Sequence, residues 1–193
     1  MNGPSRSPLH RVSLLLNLLL AILCAFLIRQ NHDLKSGGGS GAGIAALKPG
    51  DHVEGFSYRQ LDGATHRLDY ADARRAHLLF VLSTTCPFCQ KSLPNIQELF
   101  DRHKTGACDL LAVSIHDLLL TAQFAAERKL GFPLVSAPDE QFSRNYKIGA
   151  VPTTILVRGD GVVDRVWEGE LTRTLMQEIE SSLSRPALAP FPS

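Results

Sequence analysis

The sequence predicts a mixed α/β fold: a sheet holding both parallel and antiparallel strands, with helices on both faces and a β-hairpin leading in. Three observations carry that expectation. From about Ala46, apolar runs of strand length alternate with stretches of helical periodicity. Asp62-Gly63 marks a hairpin near the start of this region, and Gly159-Asp160-Gly161 marks a turn between two strands near its end.

Phe56 and Tyr58 alternate into a first strand, which turns at Asp62-Gly63 and returns through His66-Arg67-Leu68. A strand over 77–83 follows, containing the run Leu78-Leu79-Phe80-Val81-Leu82. A helix is expected over 87–104, where Leu93, Ile96, Leu99 and Phe100 recur at helical spacing. Then come a strand over 110–115, a helix over 119–129, a short strand over 134–136 and a helix over 140–146. Strands over 153–158 and 162–168 make the closing hairpin, and a helix over 172–184 ends the domain. The Pro/Ala-rich stretch 185–193 is expected to be disordered.

The chain has 193 residues, a formal net charge of +1 and 44% hydrophobic residues, which suits one globular domain with extensions. Acids and bases are interspersed, so there is no basic face for nucleic acid. Cysteines stand at 24, 86, 89 and 108, and only the middle pair has motif spacing. A disulfide-stapled scaffold is therefore disfavoured. A structural zinc site lacks a second Cys-x-x-Cys or a His-x₃₋₅-His, so no metal is expected.

Ahead of the domain, 12–28 is uncharged and almost wholly apolar, interrupted only by Ser13 and Asn17 and flanked by Arg11 and Arg29. At about 17 residues it is short for a spanning helix and long for a signal-peptide core. No small-x-small cleavage site follows, and Leu23 is too large to precede a lipidated Cys24. The expectation is an uncleaved transmembrane anchor over 12–28 behind a short tail, 1–11. Basic residues are nearly balanced across it, and Asp33 with the free amine favours a cytoplasmic N-terminus. The Gly/Ser-rich stretch within 29–46 reads as a flexible linker, able to hold the domain about 15–20 Å from a bilayer.

Cys86-Pro87-Phe88-Cys89 lies between the apolar strand and the helical stretch. Two cysteines at i, i+3 on a helix start are able to close a small disulfide ring, and the first sulfur faces the unpaired N–H groups of the helix N-terminus. Such sites lower a thiol from about 8.5 to roughly 3.5–7.5, so Cys86 is expected to be the reactive thiolate. Pro87 fits the first helical position, where its missing N–H costs nothing.

These residues resemble the thioredoxin fold and, within it, the membrane-anchored TlpA/ResA-like thiol-disulfide oxidoreductases of the redoxin superfamily. The resemblance covers 47–184. Leu47-Lys48-Pro49-Gly50-Asp51, Phe56 and Leu61-Asp62-Gly63 are similar to the N-terminal hairpin of that branch. Pro94 matches the proline that kinks the active-site helix. Gly149-Ala150-Val151-Pro152-Thr153-Thr154 matches the loop whose proline is cis. The resemblance implies that Cys86 and Cys89 are catalytic, that Val151, Pro152 and Thr153 form the client-binding loop, and that Pro87 and Phe88 are the active-site dipeptide.

The chain also departs from the family. Ser92 stands where many relatives carry a glutamate, and Phe80 stands where thioredoxin keeps a buried aspartate, so the usual proton acceptors for the second cysteine are missing. Lys91 and Glu168 are candidate substitutes. Pro87-Phe88 is more like glutaredoxin-like and oxidase-like sites than the Gly-Pro of thioredoxin. Ser83 and Leu79 occupy positions where peroxiredoxins have threonine and proline, which disfavours peroxide reduction. Cys108 reads as a small core hydrophobe. His116 lies at a strand's C-terminal end, where ligands collect in open α/β sheets, and a copper-binding reading would recruit it. Trp167 reads as core.

The expected activity is reduction of client protein disulfides, apocytochrome c among them, by a periplasmic domain tethered to the bacterial inner membrane. Cys86 attacks and Cys89 resolves. Client proteins with disulfides or thiols, a transmembrane thiol electron donor and the membrane are the implied partners, with no cofactor beyond the Cys86–Cys89 couple. A disulfide-donating oxidase and a non-enzymatic copper-binding or scaffold module are the alternatives.

Overall fold

Leu78, Phe80 and Leu82 pack to one side of the sheet and Leu79 and Val81 to the other, and all five are buried. A strand covered on both faces needs apolar residues at every position, which is why this run does not alternate. It lies in a computed structural model that describes residues 13, 16–24, 46–72, 74–103 and 108–184.

The elements are β1 (Phe56–Arg59), β2 (Thr65–Leu68), β3 (Ala76–Leu82), α1 (Pro87–Arg102), β4 (Cys108–Ser114), α2 (Leu118–Arg128), β5 (Leu134–Ser136), α3 (Glu140–Asn145), β6 (Thr153–Arg158), β7 (Val163–Glu168) and α4 (Arg173–Leu183). They form a seven-stranded sheet in the order β2-β1-β5-β4-β3-β6-β7. The β3–β4 and β4–β5 pairs are parallel and the others antiparallel. The expected mixed sheet is thus present, entered by a hairpin.

Two apolar layers sandwich it. On one face α1, α2 and α4 bury Leu93, Ile96, Leu99, Phe124, Met176 and Ile179 against Leu78, Phe80 and Leu82. Two crossovers that step the same way along the sheet, β3 to β4 and β4 to β5, put α1 and α2 on the same side. On the other face α3 supplies Phe142, followed by Tyr146, and their rings pack with Phe56 at centroid distances of 4.6 and 5.4 Å. The Tyr146 hydroxyl donates to the carbonyl of Glu54 at 2.8 Å and lies 2.6 Å from the Tyr70 hydroxyl, tying α3 to the segments flanking the hairpin.

Where the chain enters the domain it is stitched to the β6–β7 turn. Gly50 N–H donates to the Val163 carbonyl, Val163 N–H to Asp51, and Val53 N–H to Gly161, each at 2.8 Å. Lys147 holds the Asp51 carboxylate at 2.8 Å. That hydrogen bond, then the one from the Lys48 backbone, keep the Asp51 carboxyl below its usual range.

The sequence reading misplaces two boundaries by two residues, one of them the end of α1, expected at 104 and found at Arg102. The strand expected over 110–115 begins at Cys108 and ends at Ser114. Asp109 disguised its start: the residue pairs with His77 in the β3–β4 register while its carboxylate takes a bidentate contact from Arg75. A satisfied charge at a sheet end is compatible with strand pairing.

The chain divides into two units, Met1–Gly43 and Ile44–Ser193. In the first, residues 16–24 are helical, with Leu16, Leu18, Leu19, Leu20, Ile22 and Leu23 exposed. The anchor expected over 12–28 lies partly outside the described residues, the tail 1–11 and the stretch 185–193 wholly so, and the linker 29–46 all but Ala46. Among the described residues no helix is long and apolar enough to cross a membrane.

Candidate active site

β3 ends at Leu82, and four residues later Cys86 caps α1 with an extended backbone, φ −79° and ψ 120°. Its sulfur accepts the N–H of Cys89 at 3.5 Å, so the side chain takes up one of the donors that a helix start leaves unpaired. Pro87 follows at the first helical position. Cys86 and Cys89 are both free thiols.

The two thiols differ in environment. Cys86 is half-buried; Cys89 is completely buried, one turn along the inward face of α1. For Cys86, burial acts upward, but the N–H groups of Cys89 and Phe88 and the Cys89 thiol outweigh it and hold the pKa below 9.0. Burial pushes the Cys89 thiol up to about 12. The arrangement makes Cys86 the more acidic and accessible sulfur.

Across from the dithiol, the Val151–Pro152 peptide is cis. The Cys86 thiol donates to the Val151 carbonyl at 3.5 Å. Thr153 opens β6 and its hydroxyl donates to the Ala150 carbonyl at 2.8 Å, which fixes the loop on the sheet. Pro152 continues the frame, its carbonyl accepting the Gly169 N–H at 2.8 Å. The loop residues singled out in the sequence therefore stand beside Cys86, although more than sixty positions separate them in the chain. Phe88 is 54% exposed, with the Lys91 ammonium 5.3 Å from its ring centroid, so the dipeptide presents an apolar group beside the half-buried sulfur.

Ser92 is fully buried. Its hydroxyl donates to the Phe88 carbonyl at 2.8 Å and accepts the Leu171 N–H at 2.9 Å, while Asn95 donates to the Leu171 carbonyl at 2.6 Å. Ser92 and Asn95 thus clamp α1 to the segment that leads into α4. Lys91 and Glu168, the candidate proton acceptors, are both exposed. Neither is a hydrogen-bond partner of the Cys89 sulfur, which accepts the Ser83 N–H at 3.5 Å. His116 lies close to this group: its Nε2 is 2.8 Å from the Ser83 hydroxyl. Sequence reasoning flagged His116 only as a strand-end ligand and missed its link to Ser83. Among the described residues no group of three or more His, Cys, Asp or Glu is arranged to hold a metal ion.

A sheet of this order, with a cis-proline loop beside a dithiol at a helix start, defines a thioredoxin-fold redox protein. The chain belongs to the AhpC/TSA family, whose model matches residues 49–166. It is 30% identical over 138 residues to thiol-disulfide oxidoreductase ResA of Geobacillus thermodenitrificans, covering 70% of this chain and 79% of that one. With ResA of Oceanobacillus iheyensis it shares 27% over 169 residues, 85% of this chain and 82% of that one. The crystal structure of StoA from Bacillus subtilis superposes with a TM-score of 0.57 at 21% identity, covering 69% of this chain and 98% of that one. The protein is a redox enzyme, a thiol-disulfide oxidoreductase of the ResA-like kind.

Proposed function

We propose that this chain is a membrane-tethered, extracytoplasmic protein-disulfide reductase in which Cys86 is the nucleophile, Cys89 the resolving thiol and Val151-Pro152-Thr153 the client-binding loop. The observation that carries the reading is the unequal burial of the two thiols: Cys86 is half-buried beside the Val151 carbonyl, and Cys89 is fully covered beneath it. Only the first sulfur is reachable by a protein substrate.

The Cys86 thiolate attacks one sulfur of a client disulfide, forming a mixed disulfide and expelling a client thiolate. Cys89 then attacks Cys86 Sγ, closing the Cys86–Cys89 bond and expelling the second client thiolate. The client gains two electrons and the enzyme loses two. A thiol donor on the membrane returns the enzyme to its dithiol form. Apocytochrome c, which must present reduced cysteines for haem attachment, is the client class favoured. The apolar, Arg-flanked stretch 12–28 and the Gly/Ser-rich 29–46 support an anchor and leash in the bacterial inner membrane, with the domain 47–184 in the periplasm.

The test is Cys89→Ser in the full-length protein in its membrane. Disulfide-linked client adducts that vanish with Cys86→Ser are expected. No adduct in membranes that trap clients on a known thioredoxin-like reductase would overturn the reading. Equilibration with glutathione sets the direction: a potential below about −200 mV fits a reductant and one near −120 mV a disulfide donor.

A further inference from the structure

The Cys86 sulfur and the loop around Pro152 come from different arms of the fold. Among the described residues one hydrogen bond joins them directly, from the Cys86 thiol to the Val151 carbonyl. An ionised or disulfide-bonded sulfur has no hydrogen to donate, so this bond is absent once Cys86 reacts. The sheet fixes the base of the loop, where Val81 pairs with Thr153. Beyond Leu82 the chain runs through 83–85 before Cys86 caps α1, and Gln90, donating to the Thr84 carbonyl at 3.1 Å, ties α1 to that stretch and not to the loop.

The segment 169–171 joins the loop to α1. Gly169 N–H donates to the Pro152 carbonyl at 2.8 Å, just beyond the pairing of Thr153 with Glu168. Two residues later the Leu171 N–H donates to Ser92 Oγ at 2.9 Å, and Asn95 Nδ2 donates to the Leu171 carbonyl at 2.6 Å. Ser92 donates in turn to the Phe88 carbonyl at 2.8 Å, in the first turn of α1. A path of backbone and hydrogen bonds therefore runs from Pro152 to the turn that bears both thiols, and no part of it depends on the protonation of Cys86.

The segment is pinned along its length. Gly169 has φ +98°, a conformation open to glycine, which lets the chain leave β7 after the Pro152 bond and turn back to α1. Leu171 is buried in the same apolar cluster as Cys89 and Leu93. Thr172 then caps α4, its hydroxyl accepting the Leu175 N–H at 3.3 Å. Ser92 is a poor probe of this strap, because its loss strands a buried N–H. Asn95 is half-buried and grips the strap alone.

We propose that Asn95, acting through the 169–171 segment, is a positioning residue that sets the spacing between Cys86 and the client-binding edge at Val151-Pro152. It rests on that loop being where clients dock. The step it serves is the first one: the Cys86 thiolate bonds to one client sulfur as the client S–S bond breaks and the other sulfur leaves with the electron pair. Attack is efficient only when the docked disulfide lies along the approach of the Cys86 sulfur, and small misplacement is costly. A disulfide with no backbone to dock gains nothing from the strap.

The test compares attack by the full-length protein in detergent on a synthetic peptide disulfide and on hydroxyethyl disulfide, each rate normalised to that with free glutathione. Asn95→Leu keeps the size and removes the donor without adding charge. It is expected to slow attack on the peptide by about 3- to 10-fold, the weight of one hydrogen bond, and to leave the rate on hydroxyethyl disulfide unchanged. Gly169→Ala, whose Cβ would meet nothing within 4 Å, strains the other end of the strap and should give the same selective loss. Equal slowing on both disulfides, or none on either, would overturn the positioning role. A parent protein with no normalised preference for the peptide overturns docking at the loop, and this proposal with it; a parent that keeps the preference beside unaffected variants overturns the role of Asn95 alone.

A measurement on the parent stands even where a variant misfolds. Coupling between sites is reciprocal, so a strap that aids docking must itself be tightened by a docked peptide. Amide exchange over 169–171 should slow in the presence of saturating peptide carrying serine in place of cysteine. Unchanged exchange would overturn the proposal.

Discussion

The Cys86 thiol donates its hydrogen to the carbonyl of Val151 at 3.5 Å. A thiolate has no hydrogen to give, so ionisation of Cys86 releases that carbonyl at the same moment as it creates the nucleophile. The backbone edge beside Pro152 then becomes free to accept an N–H from an extended peptide.

Ionisation of Cys86 is directly measurable. Iodoacetamide should modify Cys86 with a midpoint below the ordinary 9.0, whereas Cys89, pushed up to about 12 and wholly buried, should stay unmodified across the same range. Mass spectrometry of the reduced protein at a series of pH values reads both sites. Equal modification of the two sulfurs would contradict their unequal environments.

Ser92→Ala should weaken the fold rather than the chemistry of Cys86. Loss of the hydroxyl leaves the buried Leu171 N–H, now bonded at 2.9 Å, without a partner. The expected cost is about 1–3 kcal/mol. Urea unfolding should show a lower midpoint at an unchanged slope, and a midpoint equal to the parent's would remove Ser92 as the clamp.

Gly159→Ala tests a close backbone approach. A Cβ there would lie 1.7 Å from the Asp72 carbonyl oxygen and 2.5 Å from that of Arg75, so backbone must move. Destabilisation at or above the top of the ~1–3 kcal/mol range for overpacking is expected. Gly149→Ala is the control, because its Cβ would meet nothing within 4 Å. Thermal unfolding of the two variants should separate them clearly.

His77 links stability to pH. Burial lowers its pKa from 6.5, winning over the attraction of Asp109, whose carboxylate is 3.7 Å away. The unfolded chain therefore binds the proton first. The stability this residue contributes is complete above pH 6.5 and is lost as pH falls from there through the folded value. His77→Phe should flatten the pH dependence of the urea midpoint in that window, and a slope identical to the parent's would count against the assignment.

Much of this was legible in the chain. Periodicity located every strand and helix of the domain, because β3 is an unbroken apolar run and α1 carries its apolar residues on one face. Cys86, Cys89 and the Val151-Pro152-Thr153 loop stood out because their spacing is local: three residues for the thiols, adjacent residues for the loop. What stayed hidden depends on contacts between distant segments. Ser83 and His116 are 33 residues apart and Ser92 and Leu171 are 79 apart, and each meets its partner only once parallel strands or packed helices bring loops together. Ser92 was visible as a missing carboxylate, not as a clamp. Asp109 blurred a strand start because its charge is neutralised by Arg75, a partner from the neighbouring strand's approach.

The stitching of residues 50–53 onto the β6–β7 turn fixes which end of the sheet the domain's first segment occupies. Ala76, at the start of β3, pairs with Arg158, while Val81, at the end leading to Cys86, pairs with Thr153. The β6–β7 turn therefore lies at the pole of the sheet opposite the dithiol. Residues 50–53 are therefore held at one end of the sheet, and Cys86 stands at the other.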